Sequence, residues 1–135
     1  MTYPIVHFEI LGPDGPAAVD FYRRLFDWDL QEVPMEGYDT YAYLPEPDAG
    51  IGGGIGQLDS KDGEAHGSGL VTIYVEVEDL HATLERAVRA GADVTLAVTE
   101  IAGVGAIARF RDPQGNIVGL VRSAMPDQES SRPDR

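Results

Sequence analysis

The sequence predicts an α+β fold in which two βαβββ modules form one domain. Three observations support this: a strand–helix pattern near the start of the chain, a second copy of it in the middle, and three strand candidates after each helix. His7 and Thr72 lie 65 residues apart in the two first strands. Asp14 and Asp79, which precede the two helices, are separated by the same number. The constant offset indicates an internal repeat.

The first module is predicted over about residues 4–58. Its first strand runs from Ile5 to Leu11, where apolar and polar residues alternate. The helix over 17–26 follows a glycine- and proline-rich break that contains candidate capping residues. Its expected apolar stripe consists of Ala18, Phe21, Tyr22 and Leu25. The three strand candidates that follow are Asp29–Val33, Tyr38–Leu44 and Ile51–Leu58.

The second module is predicted over about residues 70–123, after a polar connection at 59–69. Asp79 is a candidate cap for a helix over 80–90 that ends at Gly91. Leu80, Leu84, Ala87 and Val88 form its expected stripe. The strand candidates that follow are Asp93–Val98, Ala106–Asp112 and Asn116–Arg122. The turn Asp112-Pro113-Gln114-Gly115 predicts that the last two form a hairpin, and residues 124–135 are expected to be a flexible tail.

The alternation in the two first strands predicts which side chains meet a helix and which face a ligand. The apolar positions expected to pack against the helices are Val6, Phe8, Ile10, Val71, Ile73 and Val75. The opposite faces carry His7, Glu9, Tyr74 and Glu76. If two curved sheets come together, these polar side chains converge on a concave surface, which is the usual setting of a ligand site.

Composition excludes several classes of function. The absence of cysteine rules out disulfides, thiolate metal sites and a cysteine nucleophile. A net charge of −13 disfavours binding to nucleic acid. It reflects either a solubilising surface with a coding bias or adaptation to high salt. No apolar run is long enough to span a membrane and the N-terminus lacks a secretion-signal pattern, so a cytoplasmic location is expected.

Four stretches of the sequence carry a family resemblance: Val6-His7-Phe8-Glu9-Ile10, Asp20-Phe21-Tyr22-Arg23-Arg24-Leu25-Phe26, Val75-Glu76-Val77-Glu78-Asp79-Leu80 and Phe110-Arg111-Asp112-Pro113-Gln114-Gly115-Asn116. Through them the chain resembles the vicinal oxygen chelate superfamily, the group of glyoxalase I, bleomycin-resistance proteins and extradiol dioxygenases. The resemblance covers about residues 4–123. It implies a single domain over 1–123, a cupped half-barrel and, for chains this short, a homodimer.

The resemblance also implies a divalent metal held by four side chains, one from the first and one from the last strand of each module. His7 occupies the first of these positions and is a candidate ligand. Thr72 stands at the matching position of the second module, and its hydroxyl is a poor ligand. Gly119, which offers no side chain, stands at the last-strand position of the second module, and by a looser alignment the corresponding place in the first module falls near Gly54. We therefore expect the four-ligand site to be largely lost, with no cofactor at the family position and a divalent metal disfavoured.

Each polar residue of the predicted cleft has two possible interpretations. His7 is either a hydrogen-bonded pocket residue or part of a divergent metal centre. Glu9 and Glu76 are either a general acid–base pair or the hydrated rim of an acidic protein. Tyr74 is either a hydrogen-bond donor to a ligand or an amphipathic wall of the cavity.

Tyr41 and Tyr43 lie two residues apart in one strand candidate, so they share a face. They are expected either to stack on a ligand or to pack in the core. The run Gly52-Gly53-Gly54 is better explained by close packing than by a phosphate loop, because no lysine or helix follows it.

Three functions remain open on these grounds. The favoured one is binding of a small organic ligand in a concave cleft with the metal site lost. The alternative is a glyoxalase-type lyase or isomerase that uses either a divergent metal centre at His7 or acid–base chemistry by Glu9 and Glu76. The third is an interaction subunit of a larger enzyme complex.

Overall fold

The computed structural model describes residues 3–45, 50–58, 69–103 and 105–123. Their secondary structure follows the order of two βαβββ modules, so the expected α+β fold is confirmed. The chain divides into two compact units, one formed by Val6–Ile73 and the other by Met1–Ile5 together with Tyr74–Arg135. Each unit is built around the sheet and helix of one module.

The first module consists of β1 (Ile5–Leu11), α1 (Gly15–Phe26), β2 (Gln31–Glu32), β3 (Tyr38–Leu44) and β4 (Gly52–Leu58). The second consists of β5 (Leu70–Glu76), α2 (Leu80–Arg89), β6 (Asp93–Ile101), β7 (Gly105–Arg111) and β8 (Ile117–Ser123). Strands are adjacent in the order β2-β3-β4-β1 in the first module and β5-β8-β7-β6 in the second. In both modules the first and last strands pair in parallel and the remaining pairs are antiparallel.

One face of each sheet packs on the helix of its module. In the first module the buried cluster consists of Val19, Leu30, Ala42, Leu44 and Ile55. Phe8 and Ile10 pack against it, as predicted from the alternation in β1. In the second module the cluster consists of Val77, Leu80, Leu84, Ala106, Ala108 and Leu120, with Val75 against it. The polar residues of β1 and of the C-terminal half of β5 therefore lie on the face away from the helix.

The N-terminal half of β5 does not pack as expected. Val71 and Ile73 are 71% and 39% exposed, although their alternation predicted burial against the helix. The pairing of β5 with β8 begins at Tyr74, and the cluster under α2 takes its β5 contact from Val75. Val71 and Ile73 therefore lie before the part of β5 that pairs with β8 and packs under α2. On α2 itself, Val88 is 48% exposed, so the buried stripe is narrower than predicted.

The apolar stripe predicted for α1 is also partly wrong. Phe21 and Leu25 are 51% and 57% exposed, whereas Val19 is buried and Tyr22 packs against the core. The helix starts at Gly15, which is buried against the sheet. Positions 15, 19 and 22 therefore face the core at helical spacing, and the residues one position before Tyr22 or three after it turn outward.

The strand predicted at Asp29–Val33 is reduced to two residues, Gln31 and Glu32. Leu30 is buried in the core, and its carbonyl accepts a hydrogen bond from Arg23 Nη2 at 2.6 Å. That carbonyl is thereby engaged by a side chain instead of by a neighbouring strand. Pro34, which has no N–H to donate, follows the short strand.

The predicted N-terminal caps of the two helices and the terminal turn are confirmed. Asp14 Oδ1 accepts from the Ala17 N–H at 3.1 Å, and Asp79 Oδ1 accepts from the Ala82 N–H at 3.0 Å. Gly115 has a φ of +94° in the hairpin turn, where Asp112 Oδ1 accepts from backbone N–H groups. These hydrogen bonds, chiefly those from Asn116, lower the pKa of Asp112.

Several sequence-based expectations lie outside the described residues. They are residues 59–68 of the predicted polar connection and the C-terminal tail at 124–135. Across 3–45, 50–58, 69–103 and 105–123, no helix is both long enough and apolar enough to cross a membrane.

Candidate functional site

In the first module, the sheet face away from the helix brings together the polar residues of β1 and the glycines of β4. His7 pairs with Gly52 and Glu9 pairs with Gly54, so their side chains point to the same side of the sheet. β3 pairs with the edge of β4 opposite to β1, and there Tyr41 is the partner of Gly56. The central strand of this face thus offers no side chains, and the tyrosines of β3 can reach across it to β1.

Two hydrogen bonds join β3 to β1 on this face. His7 Nε2 and the Tyr41 hydroxyl oxygen are 2.8 Å apart. The Tyr38 hydroxyl donates to Glu9 Oε2 at 2.7 Å. The rings of Tyr38 and Tyr41 pack edge to face with centroids 4.8 Å apart. We call His7, Glu9, Tyr38 and Tyr41 the first-module polar cluster.

Gly54 makes this arrangement possible. A Cβ at this position would overlap the phenol of Tyr41. Strands on either side of a central strand are about 10 Å apart, so a side chain that spans them must lie flat on the strand between. Only glycine leaves room for this, which confirms the expectation that the glycine run serves close packing.

The protonation state of His7 follows from its burial. Glu9 is buried, with 4% of its surface exposed, and accepts a hydrogen bond from Tyr38. Burial lowers the pKa of His7, and the nearby charge of Glu9 offsets this only in part. His7 is therefore neutral near pH 7, and its Nε2 is engaged by Tyr41 in either tautomer.

The lowered pKa of His7 predicts a specific dependence of stability on pH. Below about pH 6.5 the unfolded chain binds a proton at His7 more readily than the folded chain does. The free energy of unfolding should therefore fall as the pH drops from 7 through this range, and His7→Asn should make the fall smaller. Urea denaturation of both proteins at pH 7.5 and 5.5 measures this, with His81→Asn as an exposed control. Equal pH dependence in the wild type and His7→Asn would contradict the prediction. Because the pKa of Asp112 is also lowered in the folded chain, protonation of this carboxyl further reduces the free energy of unfolding, but only as the pH falls below the usual pKa of an aspartate.

The second module carries a related arrangement on the corresponding sheet face. Gly119 of β8 pairs with Tyr74 of β5 on one side and with Arg109 of β7 on the other. The Arg109 Nε–H donates to the Tyr74 hydroxyl oxygen at 2.7 Å. A Cβ on Gly119 would overlap the Tyr74 ring. Both side chains are buried, with 2% of Tyr74 and 1% of Arg109 exposed.

The remaining candidate site residues differ in their exposure to solvent. Tyr43 is 39% exposed, whereas Tyr41 is buried, so the two tyrosines of β3 are in different environments. Glu76 is half-buried on β5, on the same side of the sheet as Tyr74. Thr72 is buried, with 3% exposed. The roles assigned to these residues remain predictions.

Two residues of these arrangements, Tyr38 and Arg109, were not predicted from the sequence to belong to a site. Tyr38 precedes Tyr41 by three residues, which predicts opposite faces in a regular strand. An irregularity in the pairing of β3 with β4 between Tyr38 and Thr40 returns Tyr38 to the same face. Arg109 had a visible signal, because it is a lone charged residue within an otherwise apolar strand interior.

The residues present do not fit the metal site that the resemblance implies. Where the family offers a ligating side chain at the end of each module, Gly54 and Gly119 are covered by tyrosine rings. The Nε2 of His7, the first-strand candidate, is hydrogen-bonded to Tyr41. Among the residues that the structure describes, no group of three or more His, Cys, Asp or Glu side chains is placed to hold a metal ion.

The fold defines a small α+β domain with a repeated βαβββ module. The sequence matches the family described as glyoxalase/bleomycin resistance protein/dioxygenase superfamily over residues 4–120. The chain belongs to this family.

Two curated relatives are named for different roles. Anthracycline biosynthesis protein DauV of Streptomyces sp. (strain C5) is 29% identical over 128 residues, which cover 87% of this chain and 46% of that protein. Putative glyoxylase CFP32 of Mycobacterium tuberculosis (strain CDC 1551 / Oshkosh) is 28% identical over 120 residues, which cover 79% and 41%. The chain thus spans about half the length of the curated relatives it matches.

Solved structures share the fold at low sequence identity. Methylmalonyl-CoA epimerase from Mycobacterium tuberculosis is 18% identical, with a TM-score of 0.62 over 93% of this chain and 91% of that one. Hypothetical protein BH1468 from Bacillus halodurans C-125 is 14% identical, with a TM-score of 0.66 over 93% and 97%. At these identities the likeness shows the fold alone.

Proposed function

We propose that this protein binds a small, oxygen-bearing aromatic ligand on the sheet face that carries the first-module polar cluster, without a metal at the family position. The observation that supports this most is the cluster itself. A carboxylate and a neutral imidazole, each hydrogen-bonded to a tyrosine, lie on a sheet face whose central strand is made largely of glycine.

The chemistry of the cluster suits such a ligand. The Glu9 carboxylate accepts hydrogen bonds from ligand hydroxyl groups, and neutral His7 can donate or accept through its ring nitrogens. Tyr38 is partly exposed and presents aromatic surface beside these groups, while the buried ring of Tyr41 packs against it edge to face. Small-molecule sites in proteins usually combine apolar contact with a few polar groups that fix the orientation of the ligand.

The names of two relatives agree with this ligand class. DauV and DnrV are both described as anthracycline biosynthesis proteins. Anthracyclines are fused aromatic rings that carry hydroxyl and carbonyl oxygens. We therefore take an anthracycline as the first probe of binding.

The proposal predicts anthracycline binding that depends on Glu9. The full chain is titrated with the anthracycline by isothermal calorimetry in the presence of a chelator. Glu9→Gln keeps the size of the side chain but removes its charge, and we expect about tenfold weaker binding. Asp20→Asn removes one exposed charge on α1 and serves as the matched control, with unchanged affinity expected.

Two results would count against ligand binding at this face. One is the absence of binding by the wild type both with chelator and with added divalent metal. The other is an equal loss of affinity in Glu9→Gln and Asp20→Asn, because that would assign the effect to overall charge.

A second candidate function is an isomerase or lyase, favoured by the buried carboxylate of Glu9. A carboxylate held away from water beside a tyrosine hydroxyl is a candidate general base for a proton next to a carbonyl group. Methylmalonyl-CoA epimerase shares the fold, so methylmalonyl-CoA is a reasonable first substrate to try.

Proton exchange distinguishes the second candidate from the first. The wild type is incubated with methylmalonyl-CoA in deuterium oxide, and incorporation of deuterium next to the carbonyl is followed by NMR. An enzyme of this kind exchanges the proton in the wild type and loses the exchange in Glu9→Gln. Anthracycline binding without any exchange would favour the binding protein.

A further inference from the structure

Gly54 and Gly119 are equivalent positions in the two modules. Gly54 pairs with Glu9, and Gly119 pairs with Tyr74, both in parallel first-to-last strand pairs. The two glycines are 65 residues apart, and so are their two partners. The structure therefore confirms by strand register an equivalence that the sequence indicates only loosely for Gly54.

A tyrosine covers the glycine in both modules, but it comes from a different strand in each. Tyr41 of β3 crosses β4 to the imidazole of His7 on β1. Tyr74 of β5 crosses β8 to the guanidinium of Arg109 on β7. The same combination of a glycine, a phenol and a nitrogen-bearing side chain thus arises in two ways. An arrangement inherited unchanged with the repeat would use the same strand in both modules.

We propose that Tyr41 and Tyr74 prevent a divalent metal ion from binding where the family would hold one. Each ring occupies the space into which a ligating side chain on the last strand would extend. In the first module the phenol also takes the imidazole nitrogen that would bind a cation. Glycine and tyrosine are therefore a matched pair, because a side chain at the glycine would collide with the ring that covers it.

The strain follows from burial on both sides. Tyr41 is 4% exposed and Tyr74 is 2% exposed, so neither ring has open space to move into. A Cβ on either glycine would overlap the ring above it. Overpacking of this kind is destabilising because the surrounding structure must shift.

A double-mutant cycle in the full chain tests the pairing in the first module. Gly54→Ala is expected to lower the melting temperature by about 8 °C. In a Tyr41→Ala background the same change should cost less than half as much, because the overlapping ring is gone. Gly12→Ala is the control for glycine replacement, since a Cβ there meets nothing within 4 Å. If Gly54→Ala unfolds the protein while the double variant folds, the pairing is also supported.

Cation binding tests exclusion directly, with Ni²⁺ alone as the probe. Tyr41→Ala/Gly54→Glu introduces a carboxylate on the face that carries His7 and Glu9, and we expect Ni²⁺ to bind at least tenfold more tightly than to the wild type. Tyr41→Ala/Gly54→Gln is the matched neutral control, and adding His7→Ala should remove the gain.

Additive effects in the cycle, or equal Ni²⁺ affinity in the Glu and Gln variants, would overturn the proposal. So would a stoichiometric metal in the wild type that is lost in His7→Ala. None of these measurements involves an organic ligand. Their failure is therefore distinct from a failure of the proposed anthracycline binding.

Discussion

Replacing Arg109 with alanine is expected to lower the free energy of unfolding by about 3–5 kcal/mol. The Arg109 side chain is 1% exposed and is the largest of the fully buried side chains among the described residues. Its removal leaves a cavity and deprives the buried Tyr74 hydroxyl of the Nε–H donor at 2.7 Å. Urea denaturation at pH 7, followed by circular dichroism, measures the change.

Two further variants make the Arg109 result interpretable. Arg111→Ala removes an exposed arginine two residues along the same strand, and its effect should stay within about 0.5 kcal/mol. Arg109→Met keeps much of the side-chain volume without the charge, so we expect a loss smaller than that of Arg109→Ala. Equal stability of Arg109→Ala and Arg111→Ala would show that Arg109 is not held as the structure describes.

Replacing Gly119 with alanine is expected to cost about 2–3 kcal/mol of unfolding free energy, although only one methyl group is added. The added Cβ would overlap the Tyr74 ring, which is buried and hydrogen-bonded to Arg109. The ring can move only by giving up packing and the hydrogen bond. Chemical denaturation and the near-ultraviolet circular dichroism of the tyrosines report the change.

Gly12→Ala is the matched comparison for Gly119→Ala. Neither glycine has a positive φ, so the difference between the two variants isolates the steric effect of the ring. Alanine at position 12 should be neutral or slightly stabilising, because it reduces the freedom of the unfolded chain. If alanine at position 119 were equally harmless, the ring would not lie over the glycine.

The repeat and the element types could be predicted from the sequence because they depend on local patterns. Alternation in Ile5–Leu11, the caps at Asp14 and Asp79, and the turn at Gly115 all agree with the structure. The errors occurred where a local pattern does not decide burial. Phe21 on α1 and Val71 on β5 are apolar at suitable spacing, yet they are exposed, because the sheet of each module covers only part of its helix and strand.

The candidate site was only partly predictable. His7, Glu9 and Tyr41 were selected from alternation and meet on one face, whereas Tyr38 depends on a strand irregularity that has no clear sequence signal. The use of tyrosines to cover glycines was not foreseen. Each of these tyrosines is also held by a hydrogen bond to a side chain 34 or 35 positions away in the chain, which no local pattern predicts.

The α+β class, the repeated module and the glycines where a chelating family would place ligands can all be inferred from the amino-acid sequence alone. These follow from periodicity, capping and a constant offset, which are properties of short segments. The side chains that fill the space above Gly54 and Gly119 are evident only from the three-dimensional contacts. Strand register sets which side chain reaches across a glycine, and register is fixed by packing over the whole module.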